Sequence, residues 1–289
     1  MSGLTIGIIG GTGSMGRWFE RFFTETGNTV LISGRQTLLS PEQLAEKSEV
    51  VILSVPIGVA VSLCKKIGPL MSRDQLLMDF CSMKEVILKA MLCHCSAQVI
   101  GTHPLFGPFT RSLHGQNVIV CPGRGKHWLE WLEGHLRERG AVVTRMDPVA
   151  HDRNMAVIQG LTHLLTICMG RTLQKMNMAL DVTISCSTPV FRINADLIGR
   201  LFAQDLNLYA DLIAENGYVG EAVEIFLSAL EEGRRSLLSG QKENAAAFLH
   251  DIRRFLGNFC QEGLKESNTM IDSIYSDLPQ SNSRDTGLI

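Results

Sequence analysis

Leu4-Thr5-Ile6-Gly7-Ile8-Ile9-Gly10-Gly11-Thr12-Gly13-Ser14-Met15-Gly16 passes from a short apolar run through a glycine cluster into a helix-like segment. From Ser14 to Thr26, the residues Met15, Trp18, Phe19, Phe22 and Phe23 recur at helical spacing and form one apolar stripe. Gly11-Thr12-Gly13-Ser14-Met15-Gly16 therefore fits G-x-G-x-x-G between a strand and a helix. Gly11 suits a tight turn, Gly13 lets backbone approach a pyrophosphate, and Gly16 lets helix and strand pack closely. The amide groups and dipole at the helix start attract the anion. This stretch predicts a dinucleotide-binding α/β unit.

The pattern repeats outward from it. Thr29 to Ile32 reads as a second strand, and Ser40-Pro41 opens a helix with Gln43 placed for a capping box. Val50 to Val55 is a continuous apolar strand, as when both sheet faces are covered. Strands follow at Gln75 to Phe80, Gln98 to Ile100 and Asn117 to Val120. A helix around Lys126 to Arg139 and a strand at Ala141 to Thr144 close the series. Such alternation implies a Rossmann-type, doubly wound parallel sheet with helices on both faces.

After about Pro148 the strand-like runs stop. Apolar-periodic segments at roughly 149–178, 189–216, 220–238 and 242–271 read as helices. We therefore expect a nucleotide-binding domain over 1–148 and an all-helical domain over 149–275. The tail at 276–289 is polar, carries Pro279 and is expected to be disordered. The cleft between the two domains, at the carboxyl ends of the strands, is the first place to seek a ligand.

Composition narrows the function classes. The chain has 289 residues, 45% of them hydrophobic and 19% charged, with formal net charge -2. That balance offers no global attraction to nucleic acid or to an anionic membrane. No secretory signal opens the chain and no apolar stretch has the length of a membrane span, so a cytoplasmic protein is expected. The eight cysteines are scattered, and reduced thiols are the expected state. Cys93-His94-Cys95 lacks a second ligand pair at zinc-finger spacing, so no metal is expected.

The end of the second strand chooses the cofactor. An acidic residue there would bind a ribose 2′-hydroxyl; the sequence has Ser33-Gly34-Arg35 instead. A hydroxyl and an arginine suit a 2′-phosphate, which points to NADP with NAD as the alternative. Arg35 could equally stack on adenine without selecting. Val55 and Pro56, where the third strand ends, complete the expected cofactor contacts.

Other polar residues admit two readings. Ser82, in Asp79-Phe80-Cys81-Ser82-Met83-Lys84, either caps the next helix or lies beside the nicotinamide. His103, in Gly101-Thr102-His103-Pro104-Leu105-Phe106-Gly107-Pro108, is either a satisfied loop histidine or a base for an alcohol. His163 lies on an apolar helix, where composition favours a structural role. Arg192 needs an anion, which Asp196 or a substrate carboxylate would supply.

These segments, with His151-Asp152-Arg153-Asn154-Met155-Ala156, Pro189-Val190-Phe191-Arg192 and Gly199-Arg200-Leu201-Phe202-Ala203-Gln204-Asp205, resemble the prephenate dehydrogenase family. The resemblance covers roughly residues 4 to 270, and is nearest the enterobacterial type of dehydrogenase domain, without its chorismate mutase domain. It implies a Rossmann domain followed by a helical, homodimer-forming domain. It also implies oxidation of the C4 ring alcohol of prephenate by hydride transfer to a nicotinamide. Loss of the ring carboxylate as carbon dioxide then gives 4-hydroxyphenylpyruvate, a step of tyrosine biosynthesis. By position, the resemblance makes His103 the base and puts Ser82 near the hydroxyl and nicotinamide. It makes Arg192 a ligand of a substrate carboxylate, puts His163 near the substrate side chain, and adds Lys84 to the substrate site. His151 is read as structural.

The enterobacterial relatives are NAD-type, whereas Ser33-Gly34-Arg35 resembles NADP-using arogenate dehydrogenases. Arogenate and 4-amino-4-deoxyprephenate therefore stand as alternative substrates. A hydroxyacid or imine reductase would rely on a helical-domain lysine, and Lys175 lies only near the end of that domain's first long segment. An inactive NADP-binding sensor is the reading from another class.

Overall fold

The computed structural model describes residues 3–276. Beyond Ser276, the tail expected to be disordered lies outside them. The chain divides into two compact units, one of residues up to Gly160 plus Ala214–Tyr218, the other of Leu161–Ile213 and the residues from Val219 onward.

The first unit holds one seven-stranded sheet. Its strands are β1 Thr5–Ile9, β2 Thr29–Ser33, β3 Val50–Leu53, β4 Leu76–Asp79, β5 Gln98–Pro104, β6 Asn117–Arg124 and β7 Val142–Arg145. Their spatial order is β2-β1-β3-β4-β5-β6-β7. All neighbours are parallel except β5 and β6, which run antiparallel, a reversal that the simple alternation did not predict. The helices of the unit are α1 Ser14–Glu25, α2 Pro41–Lys47, α3 Ile57–Ile67, α4 Glu85–His94, α5 His127–Glu138 and α6 Pro148–Met155.

Period-two alternation sorts the strand residues into two cores. Val50 and Ile52 of β3 join Ile6, Ile8, Leu76 and Met78 against Trp18, Phe19 and Phe23 of α1 and Trp128 and Leu132 of α5. Val51 and Leu53 face the other way, with Leu44 of α2, Ala60 and Cys64 of α3, and Ile87 and Met91 of α4. Every β3 residue is buried, which is why that strand reads as an unbroken apolar run. Each such aliphatic side chain stabilises the fold by about 1.5–3 kcal/mol. The Ser40–Gln43 capping box at α2 forms as expected.

The strands end at the switch point between β1 and β3, where chain order reverses. Gly10, at φ +88, makes the turn there, and a Cβ on it would meet Ser54 O and Val55 Cγ1. The tight turn expected of Gly11 thus belongs to Gly10; Gly11 is required because Ile32 would meet its Cβ at 2.6 Å.

The second unit is helical: α7 Thr162–Lys175, α8 Leu180–Ser185, α9 Pro189–Phe202, α10 Leu206–Ala214 (its last residue counted with the first unit), α11 Val219–Leu237, α12 Lys242–Leu256 and α13 Phe259–Ser276. The segment expected at 242–271 is broken at Gly257, whose φ of +54 ends α12. α7 and α9 pack closely, with Ile198 and Phe202 just beyond where a Cβ on Gly170 would stand. Many apolar side chains of this unit remain exposed, among them Ile225, Leu230, Phe255 and Phe259. No helix among the described residues is long and apolar enough to cross a membrane.

Strands stop near Pro148, yet the first unit continues through α6 and a wide π-type turn at Ala156–Leu161 as far as Gly160. Side-chain bonds hold it there. Asp152 on α6 accepts from the amides of Lys84 and Glu85, and Asn216 Nδ2 donates to the Asp152 carbonyl.

Candidate active site

The glycine loop presents the start of α1 without obstruction. Gly13 is the N-cap, no side chain caps the helix, and its first turn carries no acid. A Cβ on Gly13 would meet only Gly10 O, tightly, at 3.3 Å, and the space around it is otherwise open. On Gly16 a Cβ would stand 2.4 Å from Gly10 O, so packing demands glycine there. Thr12, Gly13 and Ser14 are exposed, and Met15 is half-buried. Val55, against Gly10, is half-buried, and Pro56 caps α3 and is exposed. The residues fit a dinucleotide: an open anion-binding helix end at the switch point, with a glycine whose missing side chain leaves room for a ligand. Arg35 is exposed beyond β2. Ser33 is 1% exposed and its hydroxyl donates to the Leu39 carbonyl at 2.8 Å. Ser33 is therefore turned inward, and of the two groups expected to read a 2′-phosphate only Arg35 faces outward.

His103 lies within β5, opposite Ile119 of β6, and not in a loop as its proline-bounded setting suggested. Pairing with β4 ends at Asp79 and Gly101, so Thr102, His103 and Pro104 extend past β4 and have β6 as their one partner strand. This overhang puts the imidazole at the carboxyl end of the sheet. It is 4% exposed, and burial, then the Lys84 ammonium and His151, hold it well below the ordinary imidazole range. His103 is thus a neutral imidazole at ordinary pH.

A buried chain of side chains continues behind it. His103 Nδ1 and His151 Nε2 are 2.9 Å apart, and His151 Nδ1 and Asp152 Oδ1 are 2.7 Å apart. On the other edge, His103 Nε2 is 3.3 Å from Gln159 Nε2. Burial opposes ionisation of Asp152, but the His151 N–H and the Glu85 and Lys84 amides outweigh it and hold the carboxyl low.

Lys84 lies inside the fold. It is fully buried, its ammonium donating to Asp79 Oδ2 and, at 2.7 Å, to the Thr102 carbonyl. That placement sets its ammonium against the backbone that leads into His103. Burial pushes the Asp79 carboxyl above its usual range, with the Lys84 ammonium opposing. Asp79 also accepts from the Cys81 amide at 2.8 Å, and its Oδ1 has no partner among the described residues.

Ser82 is half-buried between β4 and α4. It does not cap α4: the N-cap is Lys84, and Asp152 serves the first amides from a distant helix. The bland reading of Ser82 is thereby removed.

His163 and Arg192 belong to the second unit. His163 is half-buried, its ring edge-on to Tyr209 at 4.9 Å, and burial lowers its pKa. Arg192 Nε donates to both carboxylate oxygens of Asp196, at 3.2 and 3.1 Å, in a partly exposed i,i+4 pair. No group of three or more acidic, histidine or cysteine side chains among the described residues is arranged to hold a metal ion.

Sequence reasoning missed His151, Asp152 and Gln159 as neighbours of His103. The one signal was the adjacency of His151 and Asp152 within a segment already marked by the family resemblance.

Comparison with known proteins accords with this arrangement. The family model described as prephenate dehydrogenase, nucleotide-binding domain, matches residues 37–145, and prephenate dehydrogenase, dimerization domain, matches 147–251. A probable arogenate/prephenate dehydrogenase of Methanocaldococcus jannaschii is 32% identical over 96% of this chain and 67% of its own length. The T-protein of Enterobacter agglomerans is 34% identical over 94% of this chain and 73% of its own. Among solved structures, prephenate dehydrogenase from Aquifex aeolicus, in complex with hydroxyphenyl propionate and NAD+, shares the fold at TM-score 0.70. It is 20% identical, over 88% of this chain and 97% of that one. With an open dinucleotide loop, a neutral histidine at the sheet's carboxyl end and relatives of this kind along nearly its whole length, the chain belongs to the prephenate dehydrogenase family.

Proposed function

We propose that the protein oxidises a cyclohexadienyl alcohol, with prephenate as first candidate, and releases its ring carboxylate as carbon dioxide. The observation that carries this reading is His103, a neutral imidazole overhanging the sheet end beyond β4. Its Nε2 takes the proton of the C4 hydroxyl as hydride leaves that carbon, and returns it to the ring oxygen as the ring becomes aromatic. The nicotinamide, when bound, supplies the hydride acceptor. Gly11 to Gly16, Val55 and Pro56 hold the dinucleotide, and Arg35 favours NADP by pairing with a 2′-phosphate. Ser82, free of capping duty, orients the reacting hydroxyl. Burial, aided by the Lys84 ammonium, keeps His103 unprotonated. Arg192 binds a substrate carboxylate through the guanidinium edge that Asp196 leaves open, and His163 lies toward the substrate side chain. The exposed apolar side chains of the helical unit support a homodimer formed through it. Eight unpaired thiols suit a cytoplasmic setting.

The test is a steady-state matrix of prephenate, arogenate and 4-amino-4-deoxyprephenate, each with NAD and NADP. Turnover of prephenate, faster with NADP, is expected. No turnover of any of the three would reject an active dehydrogenase and leave the nucleotide-binding sensor.

A further inference from the structure

We infer that His151 and Asp152 are positioning residues for the reaction: they hold His103 in the one tautomer that works as a base and take over its proton during turnover. This inference rests on His103 being the base.

Donor and acceptor bookkeeping along the buried chain leads there. Asp152 Oδ1 is an acceptor, so His151 carries its proton on Nδ1, 2.7 Å away. With both rings neutral, His151 Nε2 is then a lone pair, and His103 Nδ1, 2.9 Å from it, is the donor. One proton remains for each neutral ring, so His103 Nε2 is bare. Gln159 Nε2, an amide donor 3.3 Å away, agrees with a lone pair at that position. An unconstrained imidazole would offer either nitrogen; here the second is fixed from behind.

Asp152 is itself fixed. Its two oxygens accept from the amides of Lys84 and Glu85 at 2.7 and 2.9 Å, which ties the carboxylate to the start of α4. Asn216 Nδ2 secures the same residue by its carbonyl at 2.8 Å. His151 is wholly buried and Asp152 nearly so, and neither competes with water.

Proton transfer balances along this path. The substrate O–H breaks and its proton bonds to His103 Nε2. The His103 Nδ1–H proton moves to His151 Nε2, and His151, now carrying two protons, faces the Asp152 carboxylate. The positive charge thereby moves away from the Lys84 ammonium, which disfavours it on His103. When the ring carboxylate leaves as carbon dioxide and its electron pair enters the ring, the shifts reverse and the proton returns to the ring oxygen. Other ionisable groups coupled to the Asp79–Lys84 pair among the described residues are Cys64 on α3, Cys81 after β4 and Cys121 on β6. Burial raises all three thiols, so they stay neutral and compete for no proton.

Two measurements test this. In the wild-type protein with ¹⁵N-labelled histidine, long-range ¹H–¹⁵N spectra at neutral pH read the tautomers directly. Both His103 and His151 are expected as Nδ1–H forms; His103 as the Nε2–H form overturns the proposal without any variant. In kinetics, His151→Leu is expected to lower kcat by about 10²- to 10⁴-fold with little change in KM or nucleotide affinity. His151→Gln, whose amide oxygen still accepts from His103 but takes up no proton, is expected to restore the His103 tautomer and only part of kcat. A folded His151→Leu protein with wild-type kcat overturns the proposal, and so does His151→Gln at full wild-type rate. Inactive wild-type protein would reject the proposed function, while the tautomer spectra would still decide the positioning role.

Discussion

Removing the charge of Lys84 alone should damage the protein far more than removing it together with the charge of Asp79. Both side chains are 0% exposed. In Lys84→Met, the Asp79 carboxyl keeps one donor, the Cys81 amide, and already has an oxygen without a partner. Stripping one member from a buried ion pair costs about 3–5 kcal/mol. For a unit of this size, each kcal/mol lowers the melting temperature by roughly 2–4 °C, so the single variant should melt some ~6–20 °C early. Asp79→Asn, Lys84→Met removes both charges and keeps the volumes, and should fall within about 2 kcal/mol of wild type. The coupling in a double-mutant cycle would then be a few kcal/mol in size. Calorimetry of all four proteins at one concentration, following the nucleotide-binding unit, reads this. A Lys84→Met protein melting within a degree or two of wild type, or losses that simply add, would refute the idea that these charges depend on each other.

The remaining expectations concern activity. His103→Asn should abolish turnover while substrate binding, followed by fluorescence titration, changes little; lost affinity with normal turnover would contradict its role as base. Because His103 is held well below the ordinary imidazole range, the acid limb of kcat/KM should lie below about pH 6.5. A group whose pKa is depressed in the folded state contributes stability above its unfolded value and loses it as pH falls through the folded one, so melting temperature should also drop across that window. An acid limb at or above pH 6.5 would refute the assignment. Arg192→Ala should raise KM strongly and leave nucleotide affinity unchanged; equal loss of both would reject a carboxylate ligand. Arg35→Asp should shift the NADP-to-NAD ratio of kcat/KM toward NAD, and an unchanged ratio would show that Arg35 reads no phosphate.

The periodic features of this chain were legible locally. The strand into Ile9, the glycine loop and the aromatic stripe of α1 follow from side-chain spacing and steric limits that act over a turn or two. The capping box at Ser40 likewise involves residues three positions apart. His103 is visible as a candidate, with a loop histidine and a base both open, but its place in β5 is not, because the pairing that extends β5 through Pro104 comes from β6, an antiparallel partner that its own segment does not announce. That Lys84 is buried against Asp79 is likewise absent from the sequence, which shows a charge and not its burial.

What decides how His103 behaves lies further off. His151 meets it across 48 positions, and Asp152 reaches the Lys84 and Glu85 amides across 68 and 67. Sequence alone determined that this chain alternates strand and helix around an open glycine loop, because those rules are local and repeat. Only the tertiary structure decided which side chains meet the two nitrogens of His103 and which carboxylate stands behind it, because a hydrogen bond between distant segments exists only once folding has brought their backbones together.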